Sequence, residues 1–206
     1  IYPGSINRVG NAFVMMMRTD TEKKLVCLGD DDRLAGLDGT IVPLENCSAK
    51  VCSITNYNCR IIREIFPFMS PVVHKGKKVT IGLGDRLGLA SPGHIRTVTD
   101  LDVFPVLAQQ SIRELNLTGR TYDDVISAAA WAVFQQGYKK GYGADGDHLK
   151  TAEEVKMALD IGMTMITLDC SDHIDNDAAN ENARELAAKY NKLPEESRKN
   201  WEKKYS

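Results

Sequence analysis

From residue 76 onward the chain repeats one unit: a short apolar run of strand type, a polar cluster, then a helix with its own start signal. Residues 78–84, 102–108, 142–148 and 163–169 are the four strand-type runs, the last of them, Met163-Thr164-Met165-Ile166-Thr167-Leu168-Asp169, the clearest. Between them, Ser91-Pro92 supplies an N-cap and a proline at the first helical position. Thr121-x-x-Asp124 and Thr151-x-x-Glu154 are capping boxes. Val125, Ile126, Ala129, Ala130, Val133 and Phe134 recur at the period of a helix lying with one face on a sheet. Strand and helix alternating every roughly 25–30 residues call for parallel strands joined by crossover helices. About four such units make half of a (β/α)8 barrel, whose usual size is about 250 residues. A doubly wound sheet is the alternative that pattern alone leaves open. The expected fold class is therefore α/β: a partial TIM-type barrel over residues 76–206 with a polar helical tail from about residue 177, preceded by a small α/β subdomain over residues 1–75.

That first segment has fewer signals. Asn11-Ala12-Phe13-Val14-Met15-Met16-Met17 fits a strand or a buried helix end equally by period. Lys24-Leu25-Val26-Cys27-Leu28 and residues 50–55 have strand composition, and a helix over residues 58–66 ends before Pro67. Gly29-Asp30-Asp31-Asp32 punctuates the first of these as a solvated turn.

Composition narrows the function classes. With 26 Lys+Arg against 28 Asp+Glu the net charge is -2, which favours neither nucleic acid nor an anionic membrane as partner. No apolar run approaches the roughly 20 residues that cross a bilayer. Ile1-Tyr2-Pro3-Gly4 lacks the basic and apolar regions of a signal peptide, and residue 1 is not expected to be a natural start. Cys27, Cys47, Cys52, Cys59 and Cys170 show no CxxC spacing and read as free thiols of a reducing, cytoplasmic compartment.

In parallel α/β folds chemistry gathers just past the C-terminal ends of the strands. All four runs here end in polar residues of catalytic type: Gly84-Asp85-Arg86, Gln109-Gln110-Ser111, Asp145-Gly146-Asp147-His148-x-Lys150 and Asp169-Cys170-Ser171-Asp172-His173. Three of the four histidines, His94, His148 and His173, lie in these stretches or just after them. Imidazole and carboxylate are the usual ligands of a catalytic Zn, Mn, Ni or Fe site that keeps positions open for substrate. One Asp-His pair would read more simply as a strand-end turn; two pairs on successive strand ends favour a metal or acid/base role. Gly82-Leu83-Gly84-Asp85-Arg86-Leu87-Gly88 fails the dinucleotide fingerprint, because Leu87 stands where a glycine is required. Its glycines instead place Asp85 and Arg86 over the mouth of the site, where a guanidinium forks onto a substrate carboxylate, or leave the two as a structural ion pair. Ser111-x-x-Glu114 reads as a helix cap, and Lys150 as a solvated cation or a contact to a substrate oxyanion.

The strings GLGDRLGLASPGHIRTV (82–98), FPVLAQQSIRELNLTGRTYDDVISAAAWAVFQQGYKKGYGADGDHLK (104–150) and ITLDCSDHI (166–174) closely resemble the tagaturonate epimerase family. The agreement runs over about residues 50 to 175 and combines several rare strings in order; Cys170 departs from it, standing where a proline is often seen. The resemblance implies an enzyme interconverting D-tagaturonate and D-fructuronate in hexuronate catabolism with a divalent metal. Family members are more than twice this length, and their second half adds barrel strands with further histidine and carboxylate ligands. The site here is then expected to be incomplete. The implied roles are His148 and His173 as metal ligands and Asp147 and Asp172 as acid/base groups, with Asp85, Arg86, Gln109, Gln110 and Lys150 contacting the sugar acid. The expected partners are that small molecule and either further copies of the chain or the missing half of the barrel. Two other readings stay open: a different metal-dependent sugar isomerase or aldolase, and a catalytically silent fragment that binds sugar acids.

Overall fold

The apolar run at residues 11–17 is a strand. In the computed structural model, which describes residues 1–74, 76 and 78–205, β1 (Asn7–Val9), β2 (Ala12–Arg18), β3 (Lys23–Leu28), β4 (Gly39–Pro43) and β5 (Ser48–Ser53) form one antiparallel sheet in the order β1-β2-β3-β5-β4. Val14 and Met16 point into the core, as do Leu25 and Cys27, which face them from β3. Helix α1 (Asn56–Ile65) opens where Thr55 Oγ1 accepts from the Asn58 N–H at 3.1 Å. It buries Cys59 and Ile62 against the same cluster.

A second sheet holds β6 (Thr80–Gly82), β7 (Phe104–Ser111), β8 (Gly143–Leu149) and β9 (Met165–Leu168), all parallel, in the order β6-β7-β8-β9. Each new strand joins the edge left by the previous one, so the order contains no reversal of the kind that defines a doubly wound sheet. Between the strands run α2 (Ser91–Val98), then α3 (Ile112–Thr118) with α4 (Tyr122–Gln136), then α5 (Ala152–Ile161). The whole is a mixed α/β fold with one parallel and one antiparallel sheet. All four expected strands are present, with altered limits. β7 continues past the expected end at Ala108 through Gln109, Gln110 and Ser111, and β8 runs from Gly143 to Leu149, one residue beyond its expected end. β9 is only four residues long and half-exposed, as an edge strand.

Helix α4 differs most from its sequence reading. Val125, Ile126, Ala129 and Val133 pack with Leu107, Ala144 and Leu149 of the parallel sheet. Ala130, Trp131 and Phe134 pack instead with Val14, Leu25 and Phe66 of the antiparallel one. The helix is apolar nearly all round because it lies between two sheets, and the expected single face is two. Its end is fixed by Gly137, at φ 63, where a Cβ would lie 2.4 Å from the Gly4 carbonyl oxygen. Only glycine takes that left-handed turn at so close an approach. The link between the sheets is held by Tyr142, whose buried hydroxyl donates to the Met69 carbonyl at 2.6 Å.

Packing divides the chain into two units, Ile1–Asp169 and Cys170–Ser206. Within the first unit, α4 is common to the cores of both sheets. The second unit contains short 3-10 turns at Ser171–His173 and Asn176–Asn180, then α6 (Ala183–Lys192) and α7 (Glu195–Tyr205). Asn182 caps α6 with a full capping box, and Tyr190 donates across to Glu202 at 2.8 Å. Among the described residues no helix is long and apolar enough to cross a membrane, and all five cysteines are free.

Candidate active site

The C-terminal ends of β7, β8 and β9 open onto a cleft of about 680 Å³ lined by Ser111, Arg113, Asn116, His148, Lys150 and Asp169, among others. Three local features shape it. Ser111 and Glu114 form a reciprocal capping box that starts α3 at the rim. Thr151 and Glu154 do the same for α5, and Glu154 also accepts from the Lys150 N–H at 2.7 Å. Between them β8 is irregular: its register against β9 shifts between Gly146 and Leu149. Within that shift His148 has φ 55, the only positive φ outside glycine among the described residues. A left-handed backbone at a non-glycine residue costs of order 1–2 kcal/mol, and bulges of this kind re-aim side chains.

His148 and Asp147 are adjacent in sequence and in space, Nε2 lying 3.7 Å from Oδ2, with the imidazole mostly exposed and the carboxylate mostly buried. Burial raises the Asp147 carboxyl above the ordinary range; His148 pulls it down, and the carboxylates of Asp145 and Glu114 push it up again. The Lys150 ammonium is 3.9 Å from the Asp169 carboxylate. Tyr122, the first residue of α4, buries its hydroxyl with no hydrogen-bond partner among the described residues. Burial first, then the nearby carboxylates Asp147, Glu154 and Asp145, push that phenol well up.

The remaining candidates from the parallel sheet are engaged as scaffold. Asp85 is buried, and its Oδ2 accepts from the N–H groups of Ala90 at 2.6 Å and Ser91 at 2.9 Å and from the Ser91 hydroxyl at 3.2 Å. Burial raises its carboxyl, but the donors of Ser91, Leu89 and Ala90 outweigh that and hold it below the ordinary carboxylate range. The N-cap position of α2 is accordingly Ala90, one residue before the expected Ser91, because Asp85 supplies the capping oxygen from a distance. Arg86 pairs with Glu114 at 2.5 Å and not with Asp85. Gln110 is fully buried; its amide donates to the Arg86 carbonyl at 3.0 Å and accepts from Arg120 at 2.9 Å. Arg120 also donates to the Asp85 and Arg86 carbonyls. Sequence reasoning missed Arg120, Arg113 and Tyr122, which lie in or just before the helices that follow β7 and not in the strand-end clusters.

Asp172 and His173 are exposed in the Ser171–His173 turn of the second unit. Among the described residues no three His, Cys, Asp or Glu side chains gather into a metal-holding group. A catalytic metal needs about three protein ligands and an open position. His148 and Asp147 are adjacent donors near the end of β8, so this chain's donor set does not by itself fit a complete centre.

Comparison with known proteins gives one consistent result. The model of a family described as tagaturonate epimerase matches residues 2–206. A tagaturonate/fructuronate epimerase of Thermotoga maritima is 45% identical over 132 residues, 64% of this chain and 27% of that protein. Crystal structures of a fructuronate-tagaturonate epimerase from Cohnella laeviribosi superpose with a TM-score of 0.89. The glycerol-bound form is 48% identical over 99% of this chain, and the native form 47% identical over all of it. The chain spans 41% of the Cohnella chains. With a family match along nearly its whole length, this chain belongs to the tagaturonate epimerase family.

Proposed function

We propose that this chain forms the first part of a TIM-type (β/α) barrel whose strand-end cleft epimerises D-tagaturonate and D-fructuronate. The observation that carries the reading is the cleft itself: His148, Lys150 and Asp169 converge at the ends of consecutive parallel strands in a chain of this family. Such ends are where barrel enzymes keep their chemistry. β6 and β9 are the sheet's edge strands, and unpaired edges are where the remaining strands of a family-length protein, or another chain, would pair.

The two ketouronates differ at the carbon β to the ketone, so deprotonation next to the carbonyl does not invert the centre. A retro-aldol route does. A base takes the proton from the hydroxyl on that carbon, the bond between it and the α carbon breaks, and the electron pair passes into an enolate of the ketone half. The aldehyde half turns over and the bond re-forms on its other face. Asp147 suits the proton transfer, since a carboxyl raised above its ordinary range by burial more readily both accepts and returns a proton; Asp172 is the second acid/base candidate. Lys150 and Arg113 bring two cations to the cleft for the sugar carboxylate; Gln109 on β7 is a further substrate-contact candidate, and Asp85, Arg86 and Gln110 hold the loop that borders the site. A divalent cation of Zn, Mn, Ni or Fe type would stabilise the enolate; His148 is the residue of the first unit that would help hold it, His173 of the second unit is a separate candidate, and further ligands would come from outside this chain.

The test uses a completed protein, residues 1–206 fused to the part of the Cohnella enzyme that they do not cover. Followed by NMR, it should convert tagaturonate to fructuronate, and the reverse, while leaving tagatose unchanged. Conversion of tagatose at a comparable rate would favour a general ketose isomerase, and a folded, inert fusion would favour a binding role.

A further inference from the structure

Three strands carry a polar relay at one level of the parallel sheet. Gln109 of β7 donates its Nε2 hydrogen to Asp145 Oδ2 at 3.1 Å. From the other side, the Thr167 hydroxyl of β9 donates to the same carboxylate at 2.8 and 3.1 Å. Gln109 and Asp145 are direct partners in the β7–β8 register. Asp145 is fully buried, yet its neighbour Gly146 faces Leu149 and Ala158 on the α5 side. Side chains alternate along a strand, so Asp145 projects from the opposite, helix-free face. Asp147 follows two residues later, a rise of roughly 6–7 Å toward the cleft.

The relay fixes which end of Gln109 is presented. A carboxylate accepts and does not donate, so the Gln109 amide must turn its nitrogen to Asp145. Its Oε1 then lies over β6, 2.6 Å from where a Cβ on Gly82 would sit, and accepts from none of the described residues. We propose that Asp145 is a positioning residue that locks Gln109 as a hydrogen-bond acceptor, selecting a hydroxyl of the substrate over its carboxylate. This rests on the epimerase reading and assigns one contact within it: Gln109 Oε1 takes a sugar hydroxyl, while the cations of the cleft take the acid group.

The test is a double-mutant cycle in the completed protein, read as KM and kcat for tagaturonate. Asp145→Asn offers an amide where only acceptors stood, releases Gln109 to flip, and should raise KM about tenfold, the equivalent of one lost hydrogen bond, with a smaller change in kcat. Gln109→Ala should raise KM similarly, and the double variant should be no worse than Gln109→Ala alone, because residues acting through one contact are not additive. Gly82→Ala, which displaces Oε1 without touching Asp145, should reproduce the KM effect and covers the case in which Asp145→Asn does not fold. Additive losses, or a Gly82→Ala variant with unchanged KM, would overturn the role of Asp145 while leaving the epimerase reading intact. A wild-type fusion that leaves tagaturonate unchanged would overturn both.

Discussion

Replacing His148 by alanine in the completed protein is expected to lower tagaturonate turnover by at least about a hundredfold, the usual scale for a positioned acid/base group or for the environment of a metal ligand. Replacing His173 should do the same. His148 allows a sharper version, because it holds a left-handed backbone that side chains avoid. His148→Gly removes that cost, so it should match or exceed the wild type in stability, by up to about 1 kcal/mol, while losing activity. A structural histidine would give the opposite pattern: lower stability on substitution, with turnover kept. Thermal melts beside the NMR assay distinguish the two, and turnover retained in both the His148 and His173 variants would remove them from the site.

The largest effect on folding is expected at Phe134. Its ring is completely buried and meets Phe66 at 5.5 Å, Phe68 at 6.3 Å and Trp131 at 6.4 Å between ring centroids. It sits on the side of α4 turned to the antiparallel sheet, while Val133 beside it belongs to the parallel one. Phe134→Ala therefore opens a cavity at the junction of the two cores and should cost about 3–5 kcal/mol. That is a large part of a total stability of roughly 5–15 kcal/mol. Urea unfolding should show the lower midpoint, and Leu117→Ala, at a site 79% exposed, should shift stability by under about 0.5 kcal/mol. A loss below about 1 kcal/mol at Phe134 would mean that α4 does not join the two sheets.

Much of the parallel half was legible because its signals are local. Thr121-x-x-Asp124 and Thr151-x-x-Glu154 are capping boxes in sequence and in structure, and buried strands show as apolar runs. β4 escaped notice since Gly39–Pro43 is exposed throughout and carries a glycine and a proline, leaving no alternation to read. β1 has only three residues. The two faces of α4 were merged because period reports that a helix is apolar, not how many partners it has. At the site, spacing marked the strand ends but not what each side chain would do there. Asp85 and Gln110 look like ligand contacts in sequence, yet their partners are the Ala90 N–H, five residues away, and the Arg120 guanidinium, ten residues away. The reach of Gln109 to Asp145, 36 residues on, depends on β7–β8 register, which no local pattern encodes.

The central claim is that the sugar acid binds where β7 and β8 end. Hydrogen–deuterium exchange of the completed protein, with and without saturating ketouronate, tests this most directly. Slower exchange over residues 109–117 and 146–151, with residues 23–53 of the antiparallel sheet unchanged, is the predicted result. Protection that appears elsewhere and leaves those two segments untouched, in a protein that turns the substrate over, would contradict it.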